Sequence, residues 1–389
     1  MKKINPISSD RRAPMLPGQR SPISLKEYGF WEYTCPQAGR CCDYSIADWQ
    51  QLLDDMATGG MNSLAIVIKW HTTGYRSRLG WLDQDHSCRI IASDNRMLLQ
   101  VIEMARQRKI RIWIVAVCSH HQVKEFGIVP PNGQRDGSFY YDPDYPGVLE
   151  RILAMFTEIA ELFNTAHGIL VEMESVEWDW PHRIPLYNQW AKQHGRPCYA
   201  ELKLLPLDAR AYRIHAWRNF LTERRCVAYK EIEKAIRGTG YNGKLATICE
   251  TCNEVGSYHQ ALNLQALKKA LPDWTAVTYD YDRDMNPLAT VDFCMLQPMA
   301  AGLPTYYLGR GVMTYGRNPT ISLEDHWRQD LADVRQYGVH GFWFFGADTV
   351  SGKNPHCEAR KLRKMGFRSG LSARRRILKI GKEMLGGII

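Results

Sequence analysis

The sequence predicts a single closed barrel of the (β/α)8 type, an α/β fold in which inner parallel strands alternate with outer helices. Three observations predict it. Apolar runs of strand length alternate with amphipathic stretches of helix length from Tyr28 to Gly346, and that alternation builds βαβ units. Leu64 to Trp70 (LAIVIKW) is apolar on both faces, as a strand covered on both sides must be. No Gly-x-Gly-x-x-Gly follows the first strand, which weakens an open dinucleotide-binding sheet as the alternative. A chain of 389 residues suits one barrel with insertions.

The elements follow in order. Residues 1–24 are polar and read as an arm, with the barrel over 25–350 and a basic helical tail over 351–389. Tyr28 to Cys35 is the first strand, and Cys35 to Asp43 a loop. Ser45 and Asp48 form a capping box ahead of a helix carrying Trp49, Leu52, Leu53 and Met56, which Gly59 and Gly60 stop. Leu64 to Trp70 is the second strand, followed by a long loop from His71 to Ser93. Asp94 is placed to cap the next helix. Ile110 to Cys118 is the third strand, and a second long loop spans 122–146. Val148 to Asn164 is an amphipathic helix, and His167 to Asp179 holds the fourth strand. A third large insertion covers 179–208, before a long helix from Ala209 to Arg237. Leu245 to Glu250, Trp274 to Asp280, Thr305 to Tyr315 and Gly341 to Gly346 are strands five to eight. Phe293 to Met299 reads as an extra strand, and Ser322 with Asp325 caps the helix before the eighth.

Composition narrows the class. Hydrophobic residues make up 45% and charged residues 23%, which is globular. The net charge of +9 gathers at the two ends, so it argues for basic tails and against a nucleic-acid groove, while leaving room for an anionic ligand. The tail is expected to pack on the barrel with a solvated face; a homo-oligomer contact is the sharper option. The 11 cysteines have no regular spacing, as in a cytoplasmic protein with reduced thiols, with Cys35, Cys41 and Cys42 as a clustered exception. No apolar run approaches about 18 residues and the N-terminus has no signal-peptide core, so no membrane partner is expected.

The fourth strand carries the chemistry. Ile169, Val171 and Met173 alternate with Leu170, Glu172 and Glu174. One face is therefore apolar, and the other turns acidic toward the strand's C-terminal end. Active sites of parallel barrels sit at that end. Glu250 and Asp280, the latter beside Tyr279, end the fifth and sixth strands. Glycoside hydrolysis needs two such carboxyl groups, one held protonated and one charged. An inward carboxylate satisfied by Arg or Lys is the structural alternative.

These motifs resemble those of (β/α)8-barrel glycoside hydrolases. His167 to Glu174 resembles the fourth-strand signature of chitinase-like family 18 enzymes, Asp-Gly-x-Asp-x-Asp-x-Glu. Gly168 matches the glycine, and Glu174 falls on the catalytic acid. Glu172 falls on the aspartate that orients the acetamido group, one methylene longer, while His167 and Leu170 depart from the two earlier aspartates. Val277 to Asp280 resembles that family's Met-x-Tyr-Asp, which implies substrate contacts for Tyr279 and Asp280. Ile68 to His71 is similar to the Lys-His-His region of fucosidase-like barrels. In a third template an asparagine precedes the acid, but Val171 and Met173 stand at those positions here.

The expected site thus has Glu174 as general acid/base and Glu250 or Glu172 as the partner carboxylate. Asp280, Tyr279, Lys69, Trp70, His71, His120, Trp178, Arg310 and Trp343 are the expected substrate contacts. The substrate is a carbohydrate, an anionic one included. No cofactor and no metal are expected: Cys249-Glu250-Thr251-Cys252 is a lone Cys-x-x-Cys without a second pair or nearby histidines. Two rivals remain, a carbohydrate-binding barrel without turnover and a metal-dependent hydrolase with Glu172, Glu250 and Asp280 as ligands.

Overall fold

A computed structural model describes residues 25–35, 41–82, 89–91, 94–118, 120–121, 139–173, 181–204, 210–249, 263–279, 294–309, 322–345, 366–368 and 370–386. Eight parallel strands close into a barrel. They are β1 (Glu27–Tyr33), β2 (Ser63–Lys69), β3 (Arg111–Val117), β4 (Gly168–Glu172), β5 (Lys244–Ile248), β6 (Thr275–Tyr279), β7 (Thr305–Gly309) and β8 (Gly341–Phe345). Each pairs with its neighbours in chain order, and β8 closes on β1 through Glu27↔Gly341 to Trp31↔Phe345. The fold class expected from the sequence is the one found.

The helices are α1 (Ile46–Thr58), α2 (Arg96–Gln107), α3 (Val148–Leu162), α4 (Arg183–Gln193), α5 (Tyr199–Leu204), α6 (Arg210–Gly238), α7 (Leu264–Ala270), α8 (Gln297–Ala300), α9 (Leu323–Tyr337) and α10 (Gly370–Leu385). The expected caps of α1 and α9 are present: Ser45 and Asp48 bond reciprocally, and Ser322 accepts from the Asp325 N–H. Asn95, not Asp94, is the cap residue of α2, although the Asp94 carboxylate still takes the Arg96 N–H at 2.8 Å. Residues 294–300, expected as an extra strand, are helical. Pro298 at the first turn suits a helix start and would interrupt a strand ladder. The insertion after β4 carries α4 and α5. Tyr187, Trp190, Tyr199, Trp217 and Phe220 join them to α6 as a satellite aromatic core.

Two apolar cores follow from strand alternation. The inner one holds Trp31, Val67, Trp113, Val115, Leu170, Ile248, Val277, Tyr279, Tyr306, Trp343 and Phe345. The outer one puts Ile66, Ile114, Ile169, Val171 and Phe344 against the helices. A Cβ on Gly168 would lie 2.3 Å from the Trp113 ring, so this glycine makes room for a large inner side chain. The tail helix α10 packs against α9 and α1 and buries Ala373, Ile377 and Ile380. Gly381 brings it onto β1, where a Cβ would lie 1.9 Å from the Tyr28 hydroxyl. Its charges are paired as well: Arg374 with Asp55 at 2.5 Å, and Arg376 with Glu324.

The N-terminal end of the barrel is closed by a buried carboxylate. Glu27 is 0% exposed. It accepts from Trp113 Nε1 at 2.7 Å, Ser63 Oγ at 3.0 Å and Lys244 Nζ at 3.2 Å, and His167 Nε2 lies 3.0 Å away. Burial pushes this carboxyl up, but hydrogen bonds from His167, Tyr306 and Trp113 outweigh it, and the group lies well below the usual carboxylate range. A groove of about 350 Å³ beside it, lined by Arg106, Lys109, Arg111 and His167, is at the opposite end from the strand-end acids.

Candidate active site at the C-terminal rim

Alternation along β4 sorts as the sequence predicts. Ile169, Val171 and Met173 belong to the outer core, and Leu170 belongs to the inner one. Glu172 shares the parity of Leu170, so it faces the interior at the C-terminal end of the strand, where it is 7% exposed. Its position is held by register: Glu172 stands beside Val117, and its carbonyl accepts from Cys118 N at 2.8 Å and Cys118 Sγ at 3.0 Å. Lys69, Glu172 and Arg225 all lie within electrostatic reach of the Cys118 thiol. Burial pushes that thiol up to about 12. Arg225, from α6, also donates to the Met173 carbonyl at 3.4 Å. A buried acid is thus set among cations, an arrangement that serves either an ion pair or a working carboxylate.

The end of β2 departs from simple alternation. A register shift between Val67 and Lys69 marks a bulge, and bulges re-aim side chains. Val67 and Trp70 both pack with the inner core, whereas Ile68 packs outside. Trp70 therefore lies at the mouth of the barrel, just past β2. Lys69 is buried, and its ammonium donates to the carbonyls of Trp70 and, at 3.4 Å, His71. His71 is buried with its ring 4.1 Å from that of Trp70. The following loop is anchored on α3, where the buried Glu158 accepts from Tyr75 at 3.1 Å and Ser77 at 2.5 Å.

Tyr279 ends β6 on the inner face and is buried. Trp343 needs a correction. It is 0% exposed, its indole N–H donates to Ser63 Oγ at 3.0 Å, and its ring packs on Trp113 and Tyr306. Ser63 begins β2, so Trp343 belongs to the packing layers away from the rim and not to a sugar contact. His120 lies in a two-residue ladder, His120–His121 with Phe139–Tyr140. Glu174, Glu250, Asp280, Trp178 and Arg310 lie outside the described residues. Cys35, Cys41 and Cys42 are buried. Among the described residues no group of three His, Cys, Asp or Glu gathers as a metal site, and no helix is long and apolar enough to cross a membrane.

The loops after β3 and β4 are tied together by residues the sequence does not single out. Asp142 is fully buried, with His182 Nε2 at 2.5 Å and Arg183 Nη2 at 2.7 Å. Asp144 accepts from Arg224 Nη2 at 2.6 Å and lies 3.5 Å from Arg183 Nε. Burial raises the Asp142 carboxyl, but the Arg183 charge and the His182 hydrogen bond outweigh it and leave it lowered. Nothing in one sequence says that Asp142 and Asp144 meet His182 and Arg183.

No protein-family model matches the chain. No curated protein sequence matches it. Solved structures do. The PgaB (BpsB) glycoside hydrolase domain from Bordetella bronchiseptica is 13% identical with a TM-score of 0.57, over 88% of this chain and 99% of that one. A β-galactosidase from the psychrophilic Marinomonas ef1 is 10% identical with a TM-score of 0.63, over 92% of this chain and 59% of that one. The catalytic domain of a β-amylase from Paenibacillus polymyxa is 9% identical with a TM-score of 0.54, over 89% of this chain and 98% of that one. At such identities the likeness is one of fold. These three neighbours are glycoside hydrolases of different kinds.

Proposed function

We propose that this barrel is a glycoside hydrolase that cleaves an O-glycosidic bond at its C-terminal rim. In this reading Glu174 is the general acid/base, and Glu250 or Glu172 is the partner carboxylate. Asp280 and Tyr279 hold the sugar. The acid protonates the leaving oxygen, and the partner attacks the anomeric carbon or activates water. The observation that carries the reading is Glu172: an inward carboxylate at the C-terminal end of the fourth strand, in a barrel whose backbone matches several glycosidases. Glu174 follows Glu172 by two residues in the sequence, and glycoside hydrolysis asks one carboxyl to give a proton and another to stay charged.

The test is a panel of chromogenic glycosides, including N-acetylhexosaminides, fucosides and uronides, run with and without a chelator. Glu174→Gln is expected to erase turnover of the best substrate while keeping its affinity. Turnover lost to the chelator would point instead to a metal-dependent hydrolase. Binding without any turnover in the unaltered protein would point to a carbohydrate-binding barrel.

A further inference from the structure

The inner core has a dry end and a wet end. Among its described apolar residues only Tyr33 and Trp70 keep part of their surface. Both stand at the C-terminal mouth, Tyr33 as the last residue of β1 and Trp70 just past β2. Their rings lie 6.0 Å apart, and Tyr33 meets Phe345 of β8 edge-on at 5.8 Å. The arc β8, β1, β2 thus presents a continuous aromatic wall. In a ring of eight, strands four apart face each other, so this wall faces the arc β4, β5, β6. That opposite arc ends in Glu172, Ile248 and Tyr279.

The wall is held in place. Thr34 N and Thr34 Oγ1 both donate to the Val67 carbonyl, at 3.0 and 3.1 Å. Gly74 N donates to the Ile68 carbonyl at 2.7 Å, which closes the turn that carries Trp70. The bulge at Ile68 and Lys69 is what turns Trp70 inward. Two half-covered rings on fixed backbone cost little further ordering when a ligand arrives.

We propose that Tyr33 and Trp70 form a stacking platform that binds a pyranose ring by its C–H face and turns the anomeric carbon toward Glu172 across the mouth. The negative face of an aromatic ring attracts the polarised C–H groups of a sugar, and its apolar area is shed from water at the same time. Glu172 at the end of β4 and Tyr279 at the end of β6 supply polar groups on the opposite arc. The ligand class is therefore a pyranoside with an unbroken C–H face. The inference rests on the glycosidase reading, and Tyr33 is a substrate contact that reading does not include.

The test uses the full chain with methyl β-galactoside, methyl N-acetyl-β-glucosaminide, methyl α-fucoside and methyl β-glucuronide as probes. Saturation-transfer NMR is expected to mark ring C–H protons of one face in at least one of them. Tyr33→Ala and Trp70→Ala should each weaken that binding about tenfold, whereas Tyr33→Phe and Trp70→Phe should keep it within about threefold. If an alanine variant fails to fold, Leu at the same position keeps the apolar bulk without the aromatic face and replaces it. Folded variants without the aromatic face that bind the sugar as tightly as the unaltered protein would overturn the platform, even where glycosides are cleaved. Absence of ring-proton saturation in all four probes would overturn it too. Stacking lost in those variants, with no glycoside cleaved by any protein, would support the platform and remove the hydrolase.

Discussion

Replacing Glu27 is expected to loosen the barrel at the end away from the chemistry. Glu27→Ala strips a fully buried carboxylate from three buried donors, Trp113 Nε1 at 2.7 Å, Ser63 Oγ at 3.0 Å and the Tyr306 hydroxyl. Each donor left without an acceptor costs about 1–3 kcal/mol. His167, Lys244 and Arg111 lose their counter-charge, but their side chains are 28%, 47% and 43% exposed. Water therefore screens them, and each adds no more than about 1 kcal/mol. Three donors alone bring the loss to at least about 3 kcal/mol, the lower end of the about 3–5 kcal/mol that breaking a buried pair usually costs. For a chain this long that corresponds to a melting temperature lower by up to about 10 °C. Acid tells the same story. The Glu27 carboxyl titrates lower when folded than when unfolded, so its contribution is complete above about pH 4.5 and is lost as pH falls through the folded value. Thermal melts of the unaltered protein, Glu27→Ala and Glu27→Gln from pH 7 to pH 3 check both points. The variants should melt lower at pH 7 and lose less on acidification. A Glu27→Ala protein that melts within about 1 °C of the original, with the same acid slope, would refute the argument.

Two further outcomes follow from packing. Gly381→Ala drives a methyl to 1.9 Å from the Tyr28 hydroxyl and must lift α10 off β1; a loss of about 1–3 kcal/mol is expected in urea unfolding. Iodoacetamide under native conditions should reach the half-buried Cys198 before Cys118 and Cys249, whose thiols burial pushes up to about 12, and mass spectrometry of the labelled chain reads the order.

The local signals were legible because each depends on neighbours in the chain. Ser45 to Asp48 and Ser322 to Asp325 are caps four residues long, and strand and helix periods repeat within a few residues. The inner placement of Leu170 was legible before any coordinates, since alternation along one strand needs no knowledge of the others. Segment 294–300 misled for the same reason: a short apolar run does not distinguish strand from helix, and Pro298 at the first turn decides it. Lys69, Trp70 and His71 were rightly placed at a strand end, but which of them enters the barrel depends on a bulge opposite Ala116, a feature of the pairing of two strands.

The sequence by itself determined the repeating strand and helix units, the caps that bound several of them and the acidic face of the fourth strand. Only the tertiary structure decided which distant groups meet: Glu27 with Trp113 and Lys244, Asp142 with Arg183, and Tyr33 with Trp70. The physical reason is range. Periodicity and capping act over a few residues, whereas closing a ring sets the neighbours of each side chain through register, and register is a property of the whole barrel.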